Sequence, residues 1–187
     1  ETIFSIIYFS PTLQSSSNNN ITSNKVITYG LGSQGIYLFS NNNYNTIFQN
    51  NISTFKNDSK GIFLSSSSYG NVSNNNINTF GNGTAYGIYL TSATNNTILL
   101  NNNVTSNSYE LYTDGNLNYS NTLIYNSSFG EINWTKNNLT TNITLQVGNT
   151  IYLLNNTLGL VDDVQALNLN QSAIIKFFGL NYSSQPQ

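Results

Sequence analysis

A short apolar motif recurs along this chain at a constant interval, and that repeat restricts the fold more than any other feature. Three clear copies are spaced 26 and 26 residues apart, and they read Gly35-Ile36-Tyr37-Leu38, Gly61-Ile62-Phe63-Leu64 and Gly87-Ile88-Tyr89-Leu90. A degraded copy, Glu110-Leu111-Tyr112-Thr113, follows them, and an apolar counterpart, Ile6-Ile7-Tyr8-Phe9, precedes them. One structural unit is therefore expected to recur along the chain.

Two further apolar positions keep step with this motif. One column is Ile21, Ile47, Val72, Ile98 and Leu123, and the other is Val26, Ile52, Ile77, Val104 and Phe129. Each short apolar segment is β-branched or aromatic and is bounded by Asn, Ser and Gly, a pattern typical of strands and turns. Three strands per unit predict an all-β fold, a right-handed parallel β-helix of about five coils over residues 1–130. An Asn-rich disordered tract, the competing interpretation, would not keep the columns in phase.

Asparagine recurs at fixed places between these strands. It stands two residues before the second strand of each coil at Asn19, Asn45, Asn96 and Asn121, with Gly70 as the exception. It stands two residues before the third strand at Asn24, Asn50, Asn75 and Asn102. Stacked side-chain amides can hydrogen-bond their copies in the coils above and below. We therefore predict asparagine ladders along the β-helix.

The repeat is lost after Phe129, and residues 131–187 are predicted to form a small, sandwich-like β module. The segment 139–147 alternates as a half-buried strand, and Gly148-Asn149 is a hairpin signal before the strand around Ile151. A final strand is expected over 173–180. Trp134, the single tryptophan, is placed to cover the open end of the last coil.

The stretch 87–104, with Gly-Ile-Tyr-Leu followed by Asn-Asn-Thr-Ile and Asn-Asn-Asn-Val, resembles the repeats of the pectin-lyase-like β-helix superfamily. The Asn-rich, NosD-like repeats of archaeal and bacterial surface proteins are the most similar in character. This resemblance covers residues 6 to about 130 and implies the fold. It says little about function, because the superfamily includes lyases, hydrolases, tailspikes, adhesins and structural proteins. NosD-like relatives are associated with copper-enzyme maturation, but this chain has no His, Cys or Met to bind copper.

The composition favours an exposed, neutral surface. Only 6% of the residues are charged, and the net charge is −2 with five Lys or Arg in all. Such a chain lacks the basic groups that displace counterions from nucleic acid, so no nucleic-acid partner is expected. The apolar runs are too short to span a membrane. Solvation comes from 37 Asn and 44 Ser plus Thr, which suits an extracellular, cell-surface location.

The acidic residues offer no catalytic arrangement. They are Glu1, Asp58, Glu110, Asp114, Glu131, Asp162 and Asp163, and no two successive coils carry an acid at the same register. Glycoside hydrolysis needs two carboxyl groups at a defined separation, and nucleophilic dyads with His or Cys are impossible here. The Asp162-Asp163 pair could hold Ca²⁺, but two adjacent carboxylates are too few to predict a site. We expect no enzyme activity, no cofactor and no metal.

Glycosylation sequons are the clearest modification signal. Fifteen Asn-x-Ser/Thr motifs occur, and the sites predicted to carry N-linked glycans are Asn57, Asn82, Asn118, Asn138, Asn155 and Asn181. Asn57 and Asn82 rank first because they fall in the long turns before Gly61 and Gly87.

A ring column offers a second candidate surface. Tyr37, Phe63, Tyr89 and Tyr112 share one register, and strand alternation sends them outward. They are expected either to pack under a loop or a neighbouring subunit, or to bind glycans.

The predicted function is a glycosylated structural subunit of a cell-surface filament or surface layer that assembles head-to-tail with itself. The proposed assembly residues are Ile3, Phe4, Ile6, Ile7, Tyr8 and Phe9, a strand-prone segment that would complete the C-terminal β module of the next copy. Alternatively, residues 2–9 form the first rung of their own β-helix. The alternative function is a carbohydrate-binding adhesin or viral spike that uses the aromatic face.

Overall fold

The computed structural model describes residues 4–6, 12–91, 97–100, 102–113, 122–127, 129–134, 145–147, 151–154, 157–160 and 172–179. Every regular element in these residues is a β-strand, and none is a helix. The first ten strands are β1 (Phe4–Ile6), β2 (Thr12–Gln14), β3 (Asn20–Thr22), β4 (Lys25–Thr28), β5 (Ile36–Phe39), β6 (Thr46–Phe48), β7 (Asn51–Thr54), β8 (Ile62–Ser65), β9 (Asn71–Ser73) and β10 (Asn76–Thr79). The others are β11 (Ile88–Thr91), β12 (Ile98–Leu100), β13 (Asn103–Ser106), β14 (Leu111–Thr113), β15 (Thr122–Ser127), β16 (Gly130–Trp134), β17 (Leu145–Val147), β18 (Ile151–Leu154), β19 (Thr157–Leu160) and β20 (Ala173–Phe177).

The strands form three sheets that the chain visits in turn. The first sheet stacks β2, β5, β8, β11 and β14, the second stacks β3, β6, β9, β12 and β15, and the third stacks β1, β4, β7, β10 and β13. Pairing between these stacked strands is parallel, and each strand pairs with its counterpart one coil away. The predicted all-β parallel β-helix is confirmed as a β-solenoid. It has about four coils rather than the five expected from the sequence.

Three apolar columns form the core, one from each sheet, and two of them contain the predicted residues in four successive coils. In the first sheet, Ile36, Ile62, Ile88 and Leu111 pair in register and are all buried. In the third sheet, Val26, Ile52, Ile77 and Val104 pair in register, and the first three are buried. Burying like side chains over like side chains removes a continuous apolar stripe from water, which is the main stabilising term of the fold.

The second-sheet column departs from the prediction in its fourth coil. Ile21, Ile47 and Val72 pair in register, but Leu99 rather than Ile98 pairs with Val72 and with Leu123. Leu99 is 4% exposed, whereas Ile98 is 41% exposed and pairs with Asn71. Because side chains alternate across a strand, this shift of one residue exchanges the two faces. Placing Ile98 in the core was therefore wrong.

The predicted asparagine ladder before the third strands is confirmed. Each side-chain Oδ1 accepts from the asparagine one coil before it: Asn24 Nδ2 lies 3.0 Å from Asn50 Oδ1, Asn50 Nδ2 3.0 Å from Asn75 Oδ1, and Asn75 Nδ2 2.9 Å from Asn102 Oδ1. The backbone N–H groups of Asn24, Asn50 and Asn75 donate to the same oxygens. Amide side chains thus replace strand pairing at this corner of the solenoid.

The left-handed backbone conformation at this corner lies one residue before Asn24, Asn50 and Asn75. Ser23, Gln49 and Asn74 have φ values of 57°, 55° and 55°. The turn residue adopts the unfavourable left-handed conformation. The asparagine that follows it points inward and hydrogen-bonds to the asparagine of the next coil. A shorter ladder precedes the second strands, where the backbone N–H of Asn19 donates to Asn45 Oδ1 at 2.7 Å. Asn96 and Asn121 lie outside the described residues.

The repeat ends because the chain reverses direction after β15. β16 returns antiparallel to β15, with Tyr125 opposite Ile132, and β20 then pairs antiparallel to β16. Phe129 lies in the turn between β15 and β16 and is 40% exposed. Its predicted place in the third core column was therefore wrong, and the fifth coil has no third strand among the described residues.

The strands β17, β18 and β19 extend the first sheet, whereas β20 belongs to the second. β17 pairs antiparallel with β14, and β18 and β19 form an antiparallel hairpin from Ile151 opposite Leu160 to Leu154 opposite Thr157. The hairpin expected at Gly148-Asn149 was misplaced, since β17 and β18 meet in a single parallel bridge. Whether 131–187 forms a separate module stays a prediction, and the ring of Trp134 lies outside the described part of the structure.

The N-terminal segment joins a different sheet from the one expected. Ser5 pairs with Val26 in the third sheet, and β2 supplies the first rung of the first sheet, with Leu13 opposite Leu38. Assigning Ile6-Ile7-Tyr8-Phe9 as a copy of the Gly-Ile-Tyr-Leu motif was therefore wrong at Ile6. Phe4 and Ile6 pair within their own chain. Ile3, Ile7, Tyr8 and Phe9 lie outside the described residues.

We expect Gly61→Ala to destabilise the solenoid by about 3 kcal/mol, as overpacking of a closely packed site does. A Cβ built on Gly61 would lie 2.5 Å from the carbonyl oxygen of Gly87 and against the side chain of Ile77. Gly70→Ala is the matched control, because its Cβ would meet nothing closer than 3.5 Å. Urea unfolding followed by circular dichroism measures both. Equal midpoints for the two variants would contradict the close packing.

Candidate functional site: the long-loop face and its ring columns

One side of the solenoid carries the connections from each third-sheet strand to the next first-sheet strand, and the first three of them are seven or eight residues long. We call this side the long-loop face, and its segments are residues 29–35, 55–61, 80–87 and 107–110. It holds Lys56, Asp58, Lys60 and Glu110, four of the seven charged residues whose side chains the structure describes. It also holds the two sequons ranked first from the sequence, so it is the chemically most varied surface of the described chain.

The two loop sequons are adjacent, but their hydroxyl groups differ in access. Asn57 and Asn82 are both exposed, and the backbone N–H of Asn82 donates to Asn57 Oδ1 at 3.0 Å. Thr84, the third residue of the Asn82 sequon, is exposed. Ser59, the third residue of the Asn57 sequon, is fully buried, and its hydroxyl donates to the carbonyl of Gly30 at 3.0 Å.

Four further sequons begin strands of the solenoid. Asn20, Asn51, Asn71 and Asn103 are exposed first residues of β3, β7, β9 and β13. The middle residue of each motif belongs to a core column, so the strand pattern itself produces these sequons. The other predicted glycosylation sites, Asn118, Asn138, Asn155 and Asn181, lie outside the described residues.

A small polar cluster links two of the long loops. Thr84 donates to Asp58 Oδ1 from its backbone N–H at 2.9 Å and from its hydroxyl at 3.0 Å. These two hydrogen bonds lower the pKa of Asp58. Lys60 Nζ donates to Thr84 Oγ1 at 3.0 Å. Burial lowers the pKa of Lys60, and the nearby negative charge of Asp58 offsets only part of that shift. The cluster fixes the loop geometry around Asn82 and supplies one carboxylate.

The predicted ring column is present in three of its four rungs. The rings of Tyr37 and Phe63 stack at 4.6 Å, and those of Phe63 and Tyr89 stack at 4.7 Å. Tyr112 keeps the backbone register, but its ring meets Tyr89 edge-on at 62°. Tyr86 from the long loop stacks on Tyr112 at 4.2 Å instead. The end of the column therefore packs under a loop, which was one of the two expectations for it.

The structure contains two further ring stacks that the sequence analysis missed. Tyr29, Phe55 and Phe80 stack at 4.9 and 4.8 Å along the long-loop face. Tyr44 and Tyr69 stack at 4.8 Å between the first and second sheets. Their spacings of 26, 25 and 25 residues match the repeat, so the same periodicity could have revealed them.

Four tyrosines gather where the last coils meet: Tyr86, Tyr89, Tyr109 and Tyr112. Tyr86 is 8% exposed, and burial, together with its tyrosine neighbours, raises its pKa to about 12. Glu110 lies beside this cluster in the position that glycine occupies in the clear copies of the repeat. Burial raises the pKa of Glu110.

This raised pKa predicts a pH-dependent stability. Folding favours the protonated form of Glu110, so its contribution is present below the ordinary pKa and is lost as the pH rises through the folded value. We expect Glu110→Gln to unfold at a higher temperature than the unsubstituted chain at neutral pH, and at the same temperature at acidic pH. Glu131→Gln is the control, since Glu131 pairs with Lys176 at 2.8 Å and its loss brings no gain. If Glu110→Gln still unfolded at a higher temperature at acidic pH, the gain would not come from removing the charge of Glu110.

The described residues hold no group of three or more Asp, Glu, His or Cys side chains that could bind a metal ion. Asp114, Asp162 and Asp163 lie outside those residues. The structure therefore does not test whether Asp162 and Asp163 bind calcium. Glu110 and Asp58 do not share a coil register, and the described part of the long-loop face brings no second carboxyl group to either by a hydrogen bond.

No family model, curated protein or solved structure is significantly similar to this chain. Within the described residues there is also no helix of the length and apolarity that crossing a bilayer requires. The fold and surface themselves define the class, a cysteine-free parallel β-solenoid with asparagine ladders inside and aromatic stacks outside.

Proposed function

We propose that this chain is an extracellular, N-glycosylated structural subunit of a cell-surface filament or surface layer, in which copies assemble head-to-tail. The third sheet is the observation that carries the proposal. Its order is β1-β4-β7-β10-β13, and no further strand flanks β1 or β13 among the described residues. The first and second sheets, by contrast, continue into later strands beyond β14 and β15.

The edge strand β13 presents backbone groups in the direction of the next coil. The N–H groups of Asn103 and Asn107 donate back to Asn75 and Thr79, at 2.8 and 3.1 Å. Alternation along a strand therefore directs the N–H and C=O groups of Val104 and Ser106 away from β10. Unpaired groups of this kind add a strand from another chain. In the proposed contact, β1 of one copy lies beside β13 of the next, which is a head-to-tail contact that propagates.

The assembly is tested with a proline at the edge. Ser106→Pro removes an outward N–H, while Ser106→Ala removes the same hydroxyl and keeps that N–H. We expect filaments or sheets of the unsubstituted chain and of Ser106→Ala in electron micrographs, and folded monomers of Ser106→Pro by circular dichroism and sedimentation. A monomeric unsubstituted chain would refute self-assembly, and polymers of Ser106→Pro would refute this contact.

Glycosylation is the second part of the proposal, with Asn82 as the preferred site. Its asparagine and threonine are both exposed, whereas modification of Asn57 requires a serine that is buried once the coil has closed. The intact mass of native material should exceed the 20.6 kDa of the polypeptide, and peptide mapping should find Asn82 more fully occupied than Asn57. A native mass equal to that of the polypeptide contradicts this part alone.

The kinship with the pectin-lyase-like superfamily, and with NosD-like archaeal and bacterial surface repeats, belongs to this proposal as well. It is supported by the parallel solenoid and by the copies of Gly-Ile-Tyr-Leu. A surface role also accords with the few charges of the chain and with its neutral amides. The proposal assigns no catalytic role.

The alternative, a carbohydrate-binding adhesin or spike, is favoured by the exposed rings of Tyr29, Phe55 and Phe80, which are 44%, 38% and 48% exposed. Sugars stack on ring faces, however, and in this column the rings cover one another's faces and expose mainly their edges. A glycan array with the unsubstituted chain and Tyr29→Ala tests it. Binding that Tyr29→Ala abolishes would replace the structural role as the leading proposal.

A further inference from the structure

The stacked pair Tyr44–Tyr69 is the one ring stack in the described residues whose two members are both exposed tyrosines. Both of its members are phenols, whereas Tyr29 stacks on Phe55 and Tyr37 stacks on Phe63 and Phe39. Oxidative carbon–carbon coupling of tyrosines requires a phenol on each side, because a phenylalanine ring does not form a phenoxyl radical. Of these stacks, only the Tyr44–Tyr69 pair has that chemistry available.

The geometry of the pair suits coupling. The ring centroids are 4.8 Å apart and the ring planes differ by 10°. Tyr44 and Tyr69 share a φ of 57°, so the two side chains leave equivalent backbone positions one coil apart. The N–H of Tyr44 donates to the carbonyl of Ser68 at 3.0 Å, which ties the two turns together next to the rings.

Access completes the argument. Tyr44 is 57% exposed and Tyr69 is 48% exposed, so an oxidant in solution reaches both rings. Tyr112 stacks on two other phenols, Tyr86 at 4.2 Å and Tyr109 at 6.1 Å. Tyr86 is 8% exposed, and its raised pKa keeps it in the protonated form that is harder to oxidise. Tyr109 and Tyr112 are only half-exposed, and their rings lie farther apart than those of Tyr44 and Tyr69. The exposed pair is therefore the one that reacts first.

We propose that Tyr44 and Tyr69 form a dityrosine crosslink that joins the second and third coils of the solenoid. The oxidant is a peroxide acting through a haem peroxidase. Each phenol loses one electron and one proton, and the two phenoxyl radicals couple through the ring carbons next to their oxygens. The hydrogens on the coupled carbons return to the oxygens, so the chain loses two hydrogen atoms and one hydrogen peroxide becomes two waters.

The crosslink would do for this chain what a disulfide does elsewhere. The chain has no cysteine, and bonding the two turns closes a loop of coil length, which limits the freedom of the unfolded chain. Coupling within one molecule is favoured over coupling between molecules because both radicals are held on one rigid frame. This inference does not depend on the proposed assembly.

The test treats the folded chain with hydrogen peroxide and a haem peroxidase. We expect a monomer that has lost two hydrogen atoms, dityrosine fluorescence, and a raised unfolding temperature. Cleavage after lysine places Tyr44 and Tyr69 in different peptides, 26–56 and 61–136, so tandem mass spectrometry locates the bond. Tyr44→Phe and Tyr69→Phe keep a stacked ring without a second phenol, and each should reduce the crosslink to the level of untreated protein.

Three results would overturn the inference. The first is a treated chain that loses no hydrogen. The second is a crosslink that forms to the same extent in Tyr69→Phe. That result would place the bond between other tyrosines, such as Tyr86 and Tyr112. The third is coupling that yields covalent dimers in place of modified monomers. Near-identical circular dichroism spectra for both phenylalanine variants and the unsubstituted chain, recorded before oxidation, establish that the comparison is made on folded protein.

Discussion

Leu99→Asp is expected to unfold the fourth coil, whereas Ile98→Asp in the same strand is expected to be tolerated. Leu99 is 4% exposed and packs in the column of Ile47 and Val72, so an aspartate there places an uncompensated charge in a dry core. The free energy of unfolding should fall by about 4 kcal/mol or more, which is a large part of the stability of a domain. For a chain of this length, thermal unfolding should shift down by roughly 10 °C or more.

Ile98→Asp is the matched control because it introduces the same charge one residue away. Ile98 is 41% exposed, and its neighbour on β9 is the exposed Asn71. Its substitution should cost about 1 kcal/mol or less. Thermal melts followed by circular dichroism compare the two variants. If Ile98→Asp were the more damaging variant, the register of β12 on β9 would be wrong by one residue.

This register is also where sequence reasoning reached its limit. The spacing of 26 residues from Val72 leads to Ile98, but Ile98-Leu99-Leu100 offers an apolar side chain to either face. Periodicity cannot choose between adjacent apolar residues, whereas hydrogen-bond register can. At Ile47 and Val72 a polar residue or aromatic ring stands on each side, and there the spacing assigned the core residue correctly.

The parallel solenoid itself could be predicted because three positions recur together. A single apolar column is compatible with several folds, but Ile62, Val72 and Ile77 repeat at the same interval, which only a stacked coil satisfies. The internal asparagine ladder was predictable for the same reason. The left-handed turn residues before it were not, since Ser23 and Gln49 carry no strong signal for that conformation.

The ends of the solenoid could not be predicted from the repeat. Phe129 falls at the expected interval, yet Gly130 starts a strand that returns antiparallel, and its missing Cβ permits a close approach to Lys176. At the other end, Phe4–Ile6 joins the third sheet although its apolar pattern resembles the first. A repeat determines what stacks inside it, whereas the strands at its two ends, β1 and β16, take places that the spacing does not specify.

Within the candidate surface, the sequence identified residue types better than their contacts. Asn57 and Asn82 were both assigned to exposed turns, and both are exposed. The burial of Ser59, which distinguishes the two sequons, depends on the carbonyl of Gly30 one coil away. Similarly, the predicted register of Tyr112 was correct. Its ring stacks on Tyr86 instead of Tyr89, and Tyr86 lies in a loop at a position where the two preceding coils have no tyrosine.

Asn75→Ala should be the most damaging change at the internal ladder. Asn75 is 1% exposed, and its Oδ1 accepts from both the backbone N–H and Nδ2 of Asn50, each at 3.0 Å. Its Nδ2 donates to the carbonyl of Ile47 at 2.9 Å and to Asn102 Oδ1 at 2.9 Å. Alanine leaves these buried groups without partners, at a cost of about 4 kcal/mol.

Two companion variants separate hydrogen bonding from simple perturbation of the strand. Asn76→Ala removes an exposed amide from the next position and should change stability by about 0.5 kcal/mol or less. Asn75→Asp keeps the size of the side chain but, when ionised, turns a carboxylate toward the Ile47 carbonyl and Asn102 Oδ1. That environment favours the protonated acid, so the stability of Asn75→Asp should be greatest at acidic pH and should fall as the pH rises through the raised folded pKa. Urea unfolding at acidic and at neutral pH measures this dependence. If Asn75→Asp lost the same stability at both, the ladder would not stabilise the coils through these hydrogen bonds.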